Sequence, residues 1–143
     1  MTLVSIDVLG VPAPQGSKRH VGRGILVESS TKVGPWREAV VAAATNQGAA
    51  NRQLDGPLSV DVSFYFPRPK SHYRASGDLK PTAPWVHSTT PDLDKVLRST
   101  LDALTQAAVI TDDARVQQVQ ARKLYATSER APGAIIFVKG TNP

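Results

Sequence analysis

Five aspartates, Asp92, Asp94, Asp102, Asp112 and Asp113, crowd into "PDLDKVLRSTLDALTQAAVITDD", in a chain with 17 Lys plus Arg against 12 Asp plus Glu. Carboxylates gathered in this way repel one another, and a divalent cation is the usual remedy. The chain has no cysteine, and its three histidines are scattered. An all-oxygen donor set of that kind points to Mg²⁺, with Mn²⁺ as a substitute.

Each aspartate taken alone also has an ordinary use. Asp92 or Asp94 can cap a helix and favour its dipole. Asp94, Arg98 and Asp102 follow at i, i+4 and i+8, the spacing of surface ion pairs. Asp112 and Asp113 can be a turn. If every acid is a cap or a turn, the protein is a basic DNA-binding module without catalysis.

What separates the two readings is the set of elements that must position the acids. Pro91 holds Thr90 extended. From Asp92 or Asp94 a helix is expected to about Ala108, burying Leu97, Leu101, Leu104 and Ala108. A helix of about fifteen residues is ~22 Å long, so Asp113 reaches the first pair only if the chain turns back. The stretch "AAVITDD" is therefore decisive. Its apolar, β-branched Val109 and Ile110 suit a short extended return that carries Asp113 back along the helix.

The other elements follow from periodicity and punctuation. Residues 3–11 alternate like a strand, a Gly/Pro-punctuated loop follows, and "ILVE" reads as a short second strand. "GPWREAVVAAATNQGAA" reads as a helix with Pro35 at its first helical position and Trp36, Val40, Ala43 and Ala44 on one face. "GPLSVDVSFYFPRP" is the clearest strand, with Leu58, Val60, Val62, Phe64 and Phe66 on one side. Residues 67–90 read as a long loop, which in a compact domain is usually functional or disordered. "VQQVQARKLYAT" and "GAIIFVKG" read as closing strands joined by "SERAPG". The order β-β-α-β-α-β-β predicts one α+β domain over residues 1–143, a mixed sheet with two main helices packed on it.

Composition narrows the class. With 41% hydrophobic and 20% charged residues, the chain has the balance of a soluble globular domain. No apolar run approaches the roughly eighteen residues of a membrane span, and the N-terminus lacks the pattern of a signal peptide. The expected location is the cytoplasm, with no membrane partner. A net charge of +5 favours polyanionic partners. Other motifs fall away: "DLDK" lacks the Gly and distal Glu of a calcium loop, and His20, His72 and His87 share no metal-ligand spacing, although His87 lies near the acids.

The segment "PDLDKVLRSTLDALTQAAVITDDARV" resembles the signature of RusA-type Holliday junction resolvases: Asp-x-Asp, a helix with Asp-Ala-Leu, then Asp-Asp. "GVPAPQGSKRH" is similar to the family's opening, and "GPLSVDVSFYFPRPKSHY" to its central strand and following Arg-Pro. The likeness covers most of the chain and is greatest to the phage-borne branch. It implies a RusA-like fold, and a Mg²⁺-dependent endodeoxyribonuclease that resolves four-way DNA junctions or acts on other branched DNA. It also implies that Asp92, Asp94 and Asp113 hold the metal, with Asp112 supporting them. Arg98 stands where some members have a catalytic Lys, and Lys95 where many have Asn; either would stabilise transition-state charge. The basic loops, with Lys18, Arg19, Arg23, Arg68, Lys70 and Arg74, are expected to grip DNA phosphates. Two nicks related by two-fold symmetry require two sites, so a homodimer is expected. The compartment is the host cytoplasm if the protein is phage-encoded.

Overall fold

The computed structural model describes residues 1–16 and 31–141, together with the backbone of 18–20 and 26–28. The elements are β1 (Thr2–Leu9), β2 (Lys18–His20), β3 (Leu26–Glu28), α1 (Val33–Asn46), β4 (Leu58–Phe66), α2 (Leu93–Gln106), β5 (Val116–Tyr125) and β6 (Gly133–Gly140). Short 3₁₀ turns cover Lys70–His72 and Asp113–Arg115. The α+β class is the one expected from the sequence, and the element order departs from the expected β-β-α-β-α-β-β by an extra strand before α1. That strand is β2, which lies in the stretch read as a loop and pairs antiparallel with β3.

The main sheet has the order β1-β6-β4-β5. β4 pairs antiparallel with β6 and parallel with β5, so the sheet is mixed. A parallel neighbour cannot be reached through a tight hairpin. The chain therefore crosses from β4 to β5 through the 67–92 segment and α2, and this crossover carries the acidic stretch.

Strict alternation along β4 puts Leu58, Val60, Val62, Phe64 and Phe66 in the core. They meet Val4, Ile6 and Val8 of β1, Ala134, Ile136 and Val138 of β6, and the buried sides of both helices. At the start of β6 the backbones approach closely: a Cβ on Gly133 would fall 1.9 Å from the Val8 carbonyl oxygen, so only glycine fits without movement.

The helices show one expected face and one shifted face. α1 buries Val33, Trp36, Val40 and Ala44. α2 buries Val96, Ser99, Thr100, Ala103 and Leu104, while Leu97 and Leu101 are only half-buried. The buried stripe is rotated toward small and hydroxylated residues because those positions meet partners. The Trp36 indole N–H donates to Thr100 Oγ1 at 3.1 Å, joining the two helices. Ser99 Oγ donates to the Ala13 carbonyl at 2.6 Å, and Gln15 N–H donates to the Lys95 carbonyl at 3.0 Å. The 12–16 strand of chain is thereby strapped across the first half of α2. Such partners offset the cost of taking these hydroxyls out of water.

Candidate active site

α2 ends where Ala108 takes a left-handed conformation, with φ at 55°. The chain then runs extended beside residues 51–54. Asn51, Gln53 and Leu54 donate to the carbonyls of Ala107, Ala108 and Val109 at 3.0, 2.8 and 2.9 Å, and Thr111 N–H donates to the Leu54 carbonyl at 3.0 Å. Val109 and Ile110 are buried. The β-branched pair thus forms an extended return, as its composition suggests, and its backbone groups are satisfied by a segment far away in sequence.

That return brings Asp113 back to the last turns of α2. Thr105 Oγ1 donates a short hydrogen bond to Asp113 Oδ1. Asp102 lies against the same carboxylate. Its own carboxyl is held above the ordinary carboxylate range, by burial first, then by a hydrogen bond shared with Asp113 and by the charge of Asp113. Arg37 and Arg98 oppose that rise. Asp112 fixes the turn: its side chain accepts from Ala114 N–H at 3.0 Å, which holds the short 3₁₀ turn that presents Asp113.

The other acids stand at the opposite end of the helix. Asp92 occupies the N-cap position, yet its side chain makes no capping hydrogen bond. The ordinary explanation for an aspartate at this position therefore does not account for it. Its carboxylate instead faces Lys95 Nζ at 3.7 Å, and both side chains are about half exposed. Asp94 is exposed in the first turn, and Arg98 is exposed one turn further on. Asp94 and Asp102 are eight residues apart, or about 12 Å along the axis. Among the described residues no group of three or more His, Asp or Glu side chains is placed to hold one metal ion. The structure therefore brings Asp113 together with Asp102 and Thr105, and leaves Asp92 and Asp94 as a separate pair two turns away.

The donor chemistry still fits a hard divalent cation. Asp102 and Asp113 press two carboxylates together where burial penalises charge. Mg²⁺ commonly takes only one or two carboxylates and completes its shell with water and phosphate oxygens. A surface cavity of about 490 Å³ opens beside Asp92 and Lys95, walled by Pro12, Pro14, Phe66 and Pro91.

The segment before Asp92 is pinned to the sheet edge. The Arg68 guanidinium lies 4.4 Å from the Tyr125 ring centroid and donates to the Pro84 carbonyl at 2.7 Å. His87, buried, stacks on the Tyr125 ring at 4.8 Å and meets Phe66 edge-on at 4.7 Å. Burial lowers the His87 pKa from its ordinary value, and the charges of Lys123 and His72 push it the same way. Lys123 Nζ donates to the Thr89 carbonyl and, at 2.7 Å, to the Pro91 carbonyl. The stretch read as a long loop is thus ordered, with a Tyr73–Leu79 bridge inside it.

The basic residues divide. Lys70 and Arg74 are exposed, whereas Arg68 is engaged with Tyr125 and Pro84. Arg23 and the side chains of Lys18 and Arg19 lie outside the described residues. Sequence reasoning passed over Asp102 and Thr105 as site residues, although Asp102 belonged to the acidic cluster. It also passed over the Tyr125–His87–Lys123 network, which no local pattern announces.

Comparison with known proteins adds two findings. Residues 10–139 match the family model described as "Endodeoxyribonuclease RusA". The chain is also 27% identical over 139 residues to a Bacillus subtilis (strain 168) protein named "Uncharacterized protein YqaN", covering 91% of this chain and 93% of that one.

Proposed function

Because the chain belongs to the RusA endodeoxyribonuclease family, we propose that it is a Mg²⁺-dependent, structure-selective nuclease that resolves four-way DNA junctions by paired phosphodiester hydrolysis. The observation that carries this reading is the extended return that lays Asp113 against Asp102 and Thr105 in a chain of net charge +5.

Asp92, Asp94 and Asp113 hold the ion, with Asp112 fixing the turn that presents Asp113; Mn²⁺ substitutes for Mg²⁺. When bound, the cation neutralises charge at the scissile phosphate and activates the attacking water. The protein's own groups do the rest. Thr105 fixes the orientation of the Asp113 carboxylate. Lys95, held over Asp92, or Arg98 stabilises the additional negative charge of the phosphorane-like transition state. The Lys123 and His87 contacts fix the backbone from which Asp92 projects. Within one chain the continuous helix α2 keeps Asp94 about 12 Å along its axis from Asp102, so one ion held by all three acids would draw them from two subunits. Lys70 and Arg74, with Lys18, Arg19 and Arg23, grip backbone phosphates. A homodimer presents two such sites to strands related by two-fold symmetry. The protein works in the cytoplasm, that of the host if it is phage-encoded.

The deciding experiment incubates a synthetic four-way junction with the protein, with Mg²⁺ and with EDTA. Paired nicks only with the cation are expected. Asp94→Asn and Asp113→Asn should each lower the rate by at least about a hundredfold, the loss of a few kcal/mol of transition-state stabilisation, while junction binding persists. Metal-independent binding without any nicking would instead establish a non-catalytic DNA-binding module.

A further inference from the structure

Trp85 is 91% exposed, and its neighbour Val86 is 58% exposed. Full exposure of so large an apolar side chain is unusual. A slack loop would fold the indole down onto the protein, but this loop is held on both sides of it. On one side the Pro84 carbonyl accepts from Arg68, whose guanidinium lies over Tyr125. On the other, His87 is buried between Tyr125 and Phe66. Trp85 and Val86 are therefore carried outward on a short span with two fixed ends.

The surroundings indicate what meets the indole. Lys70, Arg74 and Lys80 are exposed on the same crossover segment. The span runs on to Thr89 and Pro91, both held by Lys123, and then to Asp92. A flat aromatic surface on a segment that also carries exposed cations, and that leads to an acid of the candidate site, suits a polyanion that also offers aromatic faces. Bases stacked inside duplex arms offer none. Bases at a branch point, where stacking is interrupted, do, and a base stacked on an aromatic side chain gains affinity whatever its identity.

We propose that Trp85 is a base-stacking residue that contacts an unstacked nucleotide at the branch point and so favours branched DNA over duplex. This rests on the junction-nuclease reading above. Stacking adds affinity only where an aromatic face is free, so its effect falls on selectivity rather than on general DNA binding.

The test is a fluorescence titration in EDTA, with a synthetic four-way junction and a linear duplex of the same arm sequence as probes. Of the two tryptophans, Trp36 is buried and hydrogen-bonded inside the protein, so it is a constant background. The junction should quench the emission of the native protein strongly and the duplex weakly. The junction-induced quench should vanish in Trp85→Phe. Trp85→Ala should bind the junction about tenfold more weakly, the loss expected for one base stacked on an aromatic residue, with duplex affinity unchanged. Trp85→Phe should retain most of the junction affinity. Equal melting curves for all three proteins check that the fold is intact.

If the native protein prefers and cleaves junctions, and Trp85→Ala does so equally well, this inference falls and the nuclease reading stands. If the native protein neither prefers nor cleaves junctions, both fall. If Trp85→Ala converts a DNA-free dimer into a monomer in sedimentation, the indole is covered by a second copy of the chain and the stacking role is overturned.

Discussion

The hydroxyl of Thr105 donates to the carboxylate of Asp113, eight residues further along the chain. Between them the helix ends, the backbone turns through Ala108, and Val109 and Ile110 run back through the core. The hydrogen bond thus fixes the orientation of an acid delivered by a long detour. Thr105→Val keeps the shape and removes the donor. Groups that orient metal-binding carboxylates typically change metal affinity ten- to a hundredfold. The Mg²⁺ concentration giving half-maximal cleavage should rise at least about tenfold. An unchanged Mg²⁺ profile would mean that the hydroxyl only packs.

Asp102→Asn should raise the melting temperature at neutral pH in EDTA by a few degrees. The Asp102 carboxyl titrates above its ordinary value in the fold, chiefly through burial and then through its neighbour Asp113. A raised carboxyl pKa contributes stability below the unfolded value of about 3.9 and loses that contribution as pH rises through the folded value. At pH 7 the native protein therefore holds a disfavoured charge, which the amide removes. The advantage should shrink as the pH is lowered toward 4. A variant less stable than the native protein at pH 7 would contradict this account.

The strut before Asp92 should weaken in mild acid. His87 titrates below its ordinary value because of its burial, then Lys123, then His72. For a depressed histidine the contribution to stability is complete above the unfolded value of about 6.5 and is lost as pH falls toward the folded value. Below that window protonation drives a cation into a site already facing Lys123 and His72. His87→Phe keeps the ring contacts with Tyr125 and Phe66 and cannot titrate. Melting temperatures measured from pH 8 to pH 5 should fall more steeply for the native protein than for this variant. Parallel curves would place the acid sensitivity elsewhere.

Sedimentation at micromolar concentration should give about twice the monomer mass of 15.3 kDa. Paired cuts need two sites in fixed relation, and one chain offers one acidic stretch. A protein that remains monomeric both free and on a junction would be a simple nicking nuclease.

Much of this was legible in the residues themselves. The alternation of Leu58, Val60, Val62, Phe64 and Phe66 needs a strand with one buried face. The acidic stretch could be placed at the two ends of one helix, and β-branched Val109 and Ile110 marked the return. These features are legible because periodicity and turn chemistry act between residues close in sequence. Tertiary structure decided the pairings. Asp113 lies against Asp102 because the register of the return is set by hydrogen bonds to residues 51–54, on another segment. Arg68, one basic residue among several in sequence, is taken up by Tyr125 at the far end of β5. Trp85 is held out in solvent because its neighbours are fixed by that same tyrosine and by Arg68. Which side chains meet depends on surfaces contributed by distant parts of the chain, and no local pattern carries that information.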